Sequence, residues 1–64
     1  MAFTHTWVQQ WQIRIRNKET GVIIRFVREN HLPRYYTELE ARWWCELNNY
    51  ELIEIIDLGT KELL

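Results

Sequence analysis

The segment from Trp7 to Arg16 alternates apolar and polar side chains over most of its length. Trp11, Ile13 and Ile15 lie on one side of this alternation, and Gln and Arg residues lie on the other. A period of two is typical of a β-strand with one buried face, because successive side chains of a strand point to opposite faces. The segment therefore predicts a strand that covers a hydrophobic core on one side only.

A returning strand is predicted over residues 22–28, which are rich in β-branched side chains. The turn cluster before it ends at Gly21, a residue that tolerates a positive φ. A loop over residues 17–20 keeps apolar residues opposite apolar residues, whereas a slip of one residue mixes the two faces. We therefore expect Ile15 opposite Val22, Ile13 opposite Ile24 and Trp11 opposite Phe26 on the core face, with Arg14 opposite Ile23 and Gln12 opposite Arg25 on the other.

The segment after the hairpin has the pattern of an amphipathic helix. Asn30 is one candidate N-cap, and Thr37 is another because Thr-x-x-Glu forms a capping box. Asn48-Asn49 is a suitable helix end, since Asn tolerates the left-handed conformation. At about 100° per residue, one narrow arc collects the residues that we expect to face the sheet, with Trp44 at its margin and Cys45 away from it: Leu32, Tyr36, Leu39, Trp43 and Leu47.

A third strand is predicted over residues 50–58, closed by Gly59. Ile53 and Ile55 are expected on the core face. The order β-β-α-β makes the helix a crossover, and a right-handed crossover places the third strand beside the first. We predict one α+β domain over residues 1–64, with a three-stranded antiparallel sheet in the order 2-1-3 and one helix packed on one face.

The junction between this helix and the third strand reads Asn49-Tyr50-Glu51-Leu52-Ile53. It resembles the helix–Gly-Trp/Tyr-Glu-Leu-Val junction of small bacterial domains of unknown function. Asn49 stands where those domains have Gly. The resemblance covers about a fifth of the chain, implies the same β-β-α-β order and implies no activity.

The number of aromatic residues is large for the size of the chain. Four Trp, three Tyr and two Phe occur among 64 residues, and a chain of this length buries only about 60% of the surface of its unfolded form. We therefore expect some aromatic side chains on a partner surface. The charge is bipolar: residues 1–34 carry six Lys or Arg against two Glu, and residues 35–64 carry two against seven Asp or Glu.

Motifs for catalysis or cofactor binding are absent from the sequence. His5, His31 and Cys45 have no metal-ligand spacing, and two glycines do not make a phosphate-binding loop. A single cysteine is typical of a reducing compartment, and no apolar run reaches the roughly 20 residues that span a bilayer. We expect a non-enzymatic protein without cofactor or metal, cytoplasmic, and in the host cytoplasm if a phage encodes it.

The predicted face of the sheet that points away from the helix is the candidate binding surface. Aliphatic and aromatic residues rimmed by arginines are typical of a protein interface. The expected members on this face are Arg14, Arg16, Ile23, Arg25, Val27, Tyr50, Leu52 and Ile56. A second candidate patch at the helix start and margin contains Arg34, Tyr35 and Trp44, residue types that are enriched in binding hot spots.

These features favour a small protein-binding module whose partner is another protein or a second copy of the chain. The small size, the single cysteine and the bipolar charge suggest a phage or mobile-element inhibitor of host machinery, of the anti-CRISPR kind, that acts by steric occlusion. The alternative is a single-stranded nucleic-acid-binding protein that uses Arg14, Arg16 and Arg25. The net charge of −1 does not favour that alternative.

Overall fold

The computed structural model describes residues 6–63, and its elements follow in the order β-β-α-β. Strand β1 spans Trp7–Asn17, β2 spans Ile23–Asn30, helix α1 spans Arg34–Leu47 and β3 spans Tyr50–Glu62. The strands form one antiparallel sheet in the order β2-β1-β3. Helix α1 packs on one face of this sheet, mainly against β3. The predicted fold class and strand order are confirmed.

The β1–β2 hairpin differs from the prediction by a shift of two residues. Ile15 lies opposite Ile24, and Ile13 lies opposite Phe26. The reason is the turn, in which the Asn17 side-chain oxygen accepts hydrogen bonds from the backbone N–H groups of Glu19 and Thr20 at 2.8 and 3.1 Å. An even shift leaves each side chain on its predicted face. Arg14 consequently lies opposite Arg25, and Arg16 lies opposite Ile23.

Strand β3 contains two register shifts that the sequence pattern did not predict. Glu54 pairs with Arg14 and Leu52 pairs with Ile15, so that Ile53 is an extra residue. A bulge of one residue inverts the faces of the strand beyond it. The second shift leaves Leu58 without a partner on β1, and Gly59 adopts a φ of +85° there. The strand therefore continues to Glu62 instead of ending before Gly59.

The inversion at Ile53 corrects two predicted positions. Leu52 and Tyr50 pack against the core on the helix side of the sheet, although the alternation placed them on the opposite face. Ile53, which was expected in the core, is 40% exposed. Ile55 lies in the core as predicted.

Helix α1 begins at Arg34 after Pro33 and has no side-chain N-cap. Neither predicted cap is therefore correct. Asn30 uses its side chain elsewhere, and Thr37 lies inside the helix, where its hydroxyl donates to the Pro33 carbonyl oxygen at 3.3 Å. The predicted end is confirmed, since the helix ends at Leu47, Asn48 is its C-cap and Asn49 adopts a φ of +60°.

The face of α1 that contacts the sheet is the opposite of the predicted one. Its buried residues are Thr37 and Cys45, with Ala41 half-buried between them. These small side chains lie four positions apart and so form one stripe. The predicted core arc is exposed: Leu32, Tyr36, Leu39, Trp43 and Leu47. The hydropathy pattern correctly predicted an apolar stripe on the helix, but this stripe faces solvent instead of the sheet.

The core is small, since its buried cluster is Trp11, Ile13, Ile15, Cys45 and Ile55. A polar network closes it near the start of the helix. The Trp11 indole N–H donates to the Asn30 side-chain oxygen at 2.9 Å, and the Asn30 amide donates to the Thr37 hydroxyl at 3.1 Å. Asn30 thereby joins the end of β2 to both β1 and α1.

Candidate functional site

The position of α1 over β3 leaves the helix side of β2 uncovered. A groove of about 640 Å³ runs between α1 and β2, and we call it the helix-side groove. Its floor is formed by Ile13 and Ile15 of β1. Ile24 and Phe26 of β2, 43% and 41% exposed, line it opposite the helix. These two side chains point toward the core side of the sheet, and the described part of the chain covers them only in part.

The helix lines the groove with aromatic side chains, Trp43 and Trp44. Trp43 is 64% exposed, and Trp44 packs against Tyr50 at a ring separation of 5.3 Å. Arg28 and Glu40 also line the groove and form an ion pair at 2.5 Å. The groove is therefore apolar, and its charged members already bind each other.

An apolar ridge on α1 continues the groove outward. The ridge consists of Tyr36, Leu39, Trp43 and Leu47, which fall within an arc of about 80° at 100° per residue. This arc is roughly opposite the buried stripe of Thr37, Ala41 and Cys45. Trp43 belongs to both the ridge and the groove, so the two form one continuous apolar surface. Large exposed apolar patches on soluble domains usually mark binding sites.

The opposite face of the sheet, the outer face, is mostly polar. Ile23, Val27 and Ile56 lie on it as predicted. Val27 and Ile56 are on either side of Gln12, which places them two strand spacings, about 10 Å, apart. Ile23 is separated from Val27 by Arg25. Without Leu52 and Tyr50, the predicted contiguous apolar strip does not form.

Two of the three predicted arginines of the outer face bind carboxylates of β3. Arg14 contacts Glu54 at 2.7 Å, and Arg16 donates to Glu51 at 2.6 Å. The hydrogen bond and charge of Arg16 hold the pKa of the Glu51 carboxyl below its usual range. Arg25 has no ion pair among the described residues, and it lies directly opposite the like-charged Arg14. Two of the three arginines are thus neutralised within the sheet.

The three residues of the second predicted patch are all exposed, but their contacts differ. The Arg34 guanidinium donates to the backbone oxygen of Ile55 at 2.6 Å and so binds the free edge of β3. Tyr35 is exposed and packs edge-to-face on Tyr36 at 5.4 Å. Trp44 belongs to the helix-side groove. The structure therefore brings Tyr35 close to the ridge and gives Arg34 a structural contact.

Among the described residues, the cysteine and the histidine occupy buried or hydrogen-bonded positions. Cys45 is 3% exposed, and burial raises the pKa of its thiol, which disfavours the reactive thiolate. His31 contacts the Trp7 carbonyl oxygen at 2.7 Å. Over residues 6–63, no three His, Cys, Asp or Glu side chains are grouped as metal ligands; His5 lies outside that range.

The sequence pattern missed the groove because it placed Ile24, Phe26 and Trp43 in the core. One signal did point to it, namely the count of nine aromatic residues, which exceeds what a small core holds. Residues 6–63 contain no helix with the length and apolar character needed to cross a membrane. No family model, curated protein or solved structure matches this chain.

Proposed function

We propose that this chain is a non-catalytic protein-binding module and that its binding surface is the helix-side groove together with the helix ridge. The observation that carries the proposal is the exposure of Trp43 at 64% at the junction of ridge and groove. Trp and Tyr are enriched in binding hot spots, where they are desolvated by a partner. The groove offers such a partner an apolar floor that is already formed.

A protein suits this surface better than a small molecule does. Small-molecule sites combine an apolar lining with several polar groups that converge on the ligand. In the helix-side groove, the Thr37 hydroxyl is engaged by Pro33 and Asn30, and Arg28 is engaged by Glu40. The apolar surface also continues over the ridge, beyond the reach of a ligand within the groove.

We further propose that the chain is an inhibitor of host machinery, of the anti-CRISPR kind, that acts in the cytoplasm by steric occlusion. Its support is the small size of the chain and the absence of assembled catalytic groups among residues 6–63. Inhibition of a purified target by the wild-type chain, with loss of inhibition in Trp43→Glu, is the expected result. Inhibition that survives Trp43→Glu would assign the effect to another surface.

The experiment for the binding module compares three immobilised proteins: wild type, Trp43→Glu in the groove and Ile23→Glu on the outer face. Captured proteins from the source cell, and an untagged second copy of the chain, are purified and titrated against each. We expect binding that Trp43→Glu weakens by at least about 30-fold, since a hot-spot residue contributes about 2 kcal/mol or more. Ile23→Glu should bind like wild type. Equal binding by wild type and Trp43→Glu, or binding of neither protein, refutes the proposal.

The second candidate is single-stranded nucleic-acid binding by the outer face, favoured by Arg25, whose side chain has no ion pair in the described part of the chain. The pairing of Arg14 with Glu54 and of Arg16 with Glu51 weakens this candidate. Binding of a fluorescent oligonucleotide should fall steeply between 50 and about 200 mM salt if phosphates are contacted. No binding at low salt, or binding unaffected by Arg25→Gln, removes the candidate.

A further inference from the structure

We infer that the protein covering the helix-side groove and the ridge is a second copy of this chain, related to the first by a two-fold axis. The inference rests on the proposed function, because it names the partner of the same surface. In a two-fold dimer, each copy contributes the same patch, and the patch must be complementary to itself.

The geometry meets that requirement because a convex and a concave apolar feature lie side by side. The ridge projects from α1, and the groove lies between α1 and β2. A two-fold axis that crosses this surface places the ridge of one copy in the groove of the other, twice. Leu39 and Trp43 of one copy then cover the exposed parts of Ile24 and Phe26 of the second, which the described residues of their own chain leave in solvent.

The exposed area is of the size that a dimer needs. The aromatic residues Phe26, Tyr36, Trp43 and Trp44 are 41, 55, 64 and 44% exposed. At roughly 200 Å² for each full side chain, they alone present about 400 Å². Ile24, Leu39 and Leu47 add to this. A standard interface buries about 800 Å² on each partner, so these seven residues supply most of one.

The small size of the core also favours a dimer. Five residues form the buried cluster, whereas the larger apolar side chains of β2 and α1 remain in solvent. Interfaces of obligate dimers resemble a hydrophobic core divided between two chains. A second copy is present whenever the chain is made, so it covers this surface without waiting for another protein. The net charge of −1 per chain gives little repulsion between copies.

The charges around the surface are compatible with this arrangement. Arg28 and Glu40 neutralise each other at 2.5 Å within each chain, so a partner helix meets no unpaired charge from these two groups. The dimer leaves both outer faces free. Any further protein would then meet the arginines and carboxylates of the outer face, with Ile23, Val27 and Ile56 between them.

The test is the mass of the full chain in solution by light scattering after size exclusion, at about 1 and about 100 µM, which bracket micromolar dissociation constants. We expect a mass of about 16 kDa, twice the chain mass of 8.0 kDa. The dissociation constant of the Leu39→Glu dimer should be at least about 30-fold above that of the wild type, because the dimer would bury an unpaired carboxylate. The variant should keep the far-ultraviolet circular dichroism of the wild type. Ile23→Glu is the matched control, because Ile23 and Leu39 are 48% and 46% exposed, and it should remain a dimer.

A wild type of 8.0 kDa at both concentrations overturns the inference. So does a Leu39→Glu variant that remains dimeric, or an Ile23→Glu variant that alone dissociates. If Leu39→Glu does not fold, Leu47→Glu takes its place, since Leu47 is 65% exposed at the helix end. A monomeric wild type that still binds another protein through Trp43 refutes the dimer and leaves the binding module standing. A monomer that binds no protein refutes both.

Discussion

Removal of the Asn30 side chain should destabilise the fold more than any other single change of a polar residue on β2. Asn30 accepts hydrogen bonds from the Trp11 indole at 2.9 Å and from the Leu32 backbone N–H at 3.2 Å. It also donates to the Thr37 hydroxyl at 3.1 Å. Trp11 and Thr37 are 4% and 2% exposed, so neither has ready access to water as a replacement. Asn30 therefore holds the start of α1 against the sheet.

The magnitude follows from these partners. Asn30→Ala leaves the buried indole N–H of Trp11 unpaired, at a cost of about 1–3 kcal/mol, and removes the bond to Thr37, worth about 1 kcal/mol. The Leu32 N–H is exposed and can bind water. We expect the free energy of unfolding to fall by about 2–4 kcal/mol. A chain of this length has about 3–10 kcal/mol in total, so the variant is close to the limit of folding.

The assay is urea unfolding followed by circular dichroism at one fixed protein concentration, because self-association would add to the apparent stability. Asn48→Ala is the matched control. The Asn48 side chain donates a single exposed bond to the Trp44 carbonyl oxygen at 2.9 Å, so its loss should cost less than about 1 kcal/mol. Asn30→Asp keeps the acceptor for Trp11 and should lose less than half of what Asn30→Ala loses.

A double-mutant cycle with Trp11→Phe isolates the indole contact. If the Asn30 side-chain oxygen accepts the hydrogen bond of the Trp11 indole, Trp11→Phe should lower the free energy of unfolding less in the Asn30→Ala background than in the wild type. The coupling energy should be about 0.5–3 kcal/mol. An Asn30→Ala variant within about 0.5 kcal/mol of the wild type would refute the reasoning. So would strictly additive effects of the two substitutions.

Two further predictions concern the sheet. Arg16→Gln should raise the pKa of the Glu51 carboxyl, measured by NMR titration, because it removes the 2.6 Å bond that lowers this pKa; an unchanged pKa contradicts the assignment. Since the folded-state pKa is the lower one, stabilisation by the pair is complete above the ordinary Glu pKa of about 4.3 and is lost as the pH falls through the folded value. Gly59→Ala should cost about 1–2 kcal/mol in thermal unfolding, because φ is +85° while the space around a Cβ is open. Thr60→Ala is its control, and equal effects of the two would disprove the backbone origin.

Local pattern predicted the sheet well. Alternation in β1 identified the core face of Trp11, Ile13 and Ile15, and the crossover rule placed β3 beside β1. The loop is four residues long as predicted, but it spans residues 18–21 instead of 17–20, because Asn17 donates its backbone N–H to Val22 and accepts the turn hydrogen bonds with its side chain. The bulge at Ile53 was not predictable from the sequence, since Ile-Glu-Ile-Ile continues as an apolar-rich strand in either register.

An exposed apolar surface was predicted, but on the wrong side of the sheet. Uncovered apolar residues rimmed by charge were expected, and the structure contains them on the helix side instead of the outer face. Tyr50 and Leu52 moved to the helix side through the bulge, whereas Ile23, Val27 and Ile56 kept their predicted face as separate residues.

The sequence by itself determined the elements, their order and the existence of an apolar stripe on α1, because these depend on periodicity along the chain. Only the tertiary structure decided which stripe of α1 meets the sheet. Thr37, Ala41 and Cys45 are small enough for close approach of the helix to β3, so they are buried in place of the larger Leu39, Trp43 and Leu47. Periodicity shows that a helix has an apolar face, but it does not show whether that face contacts its own sheet or a partner.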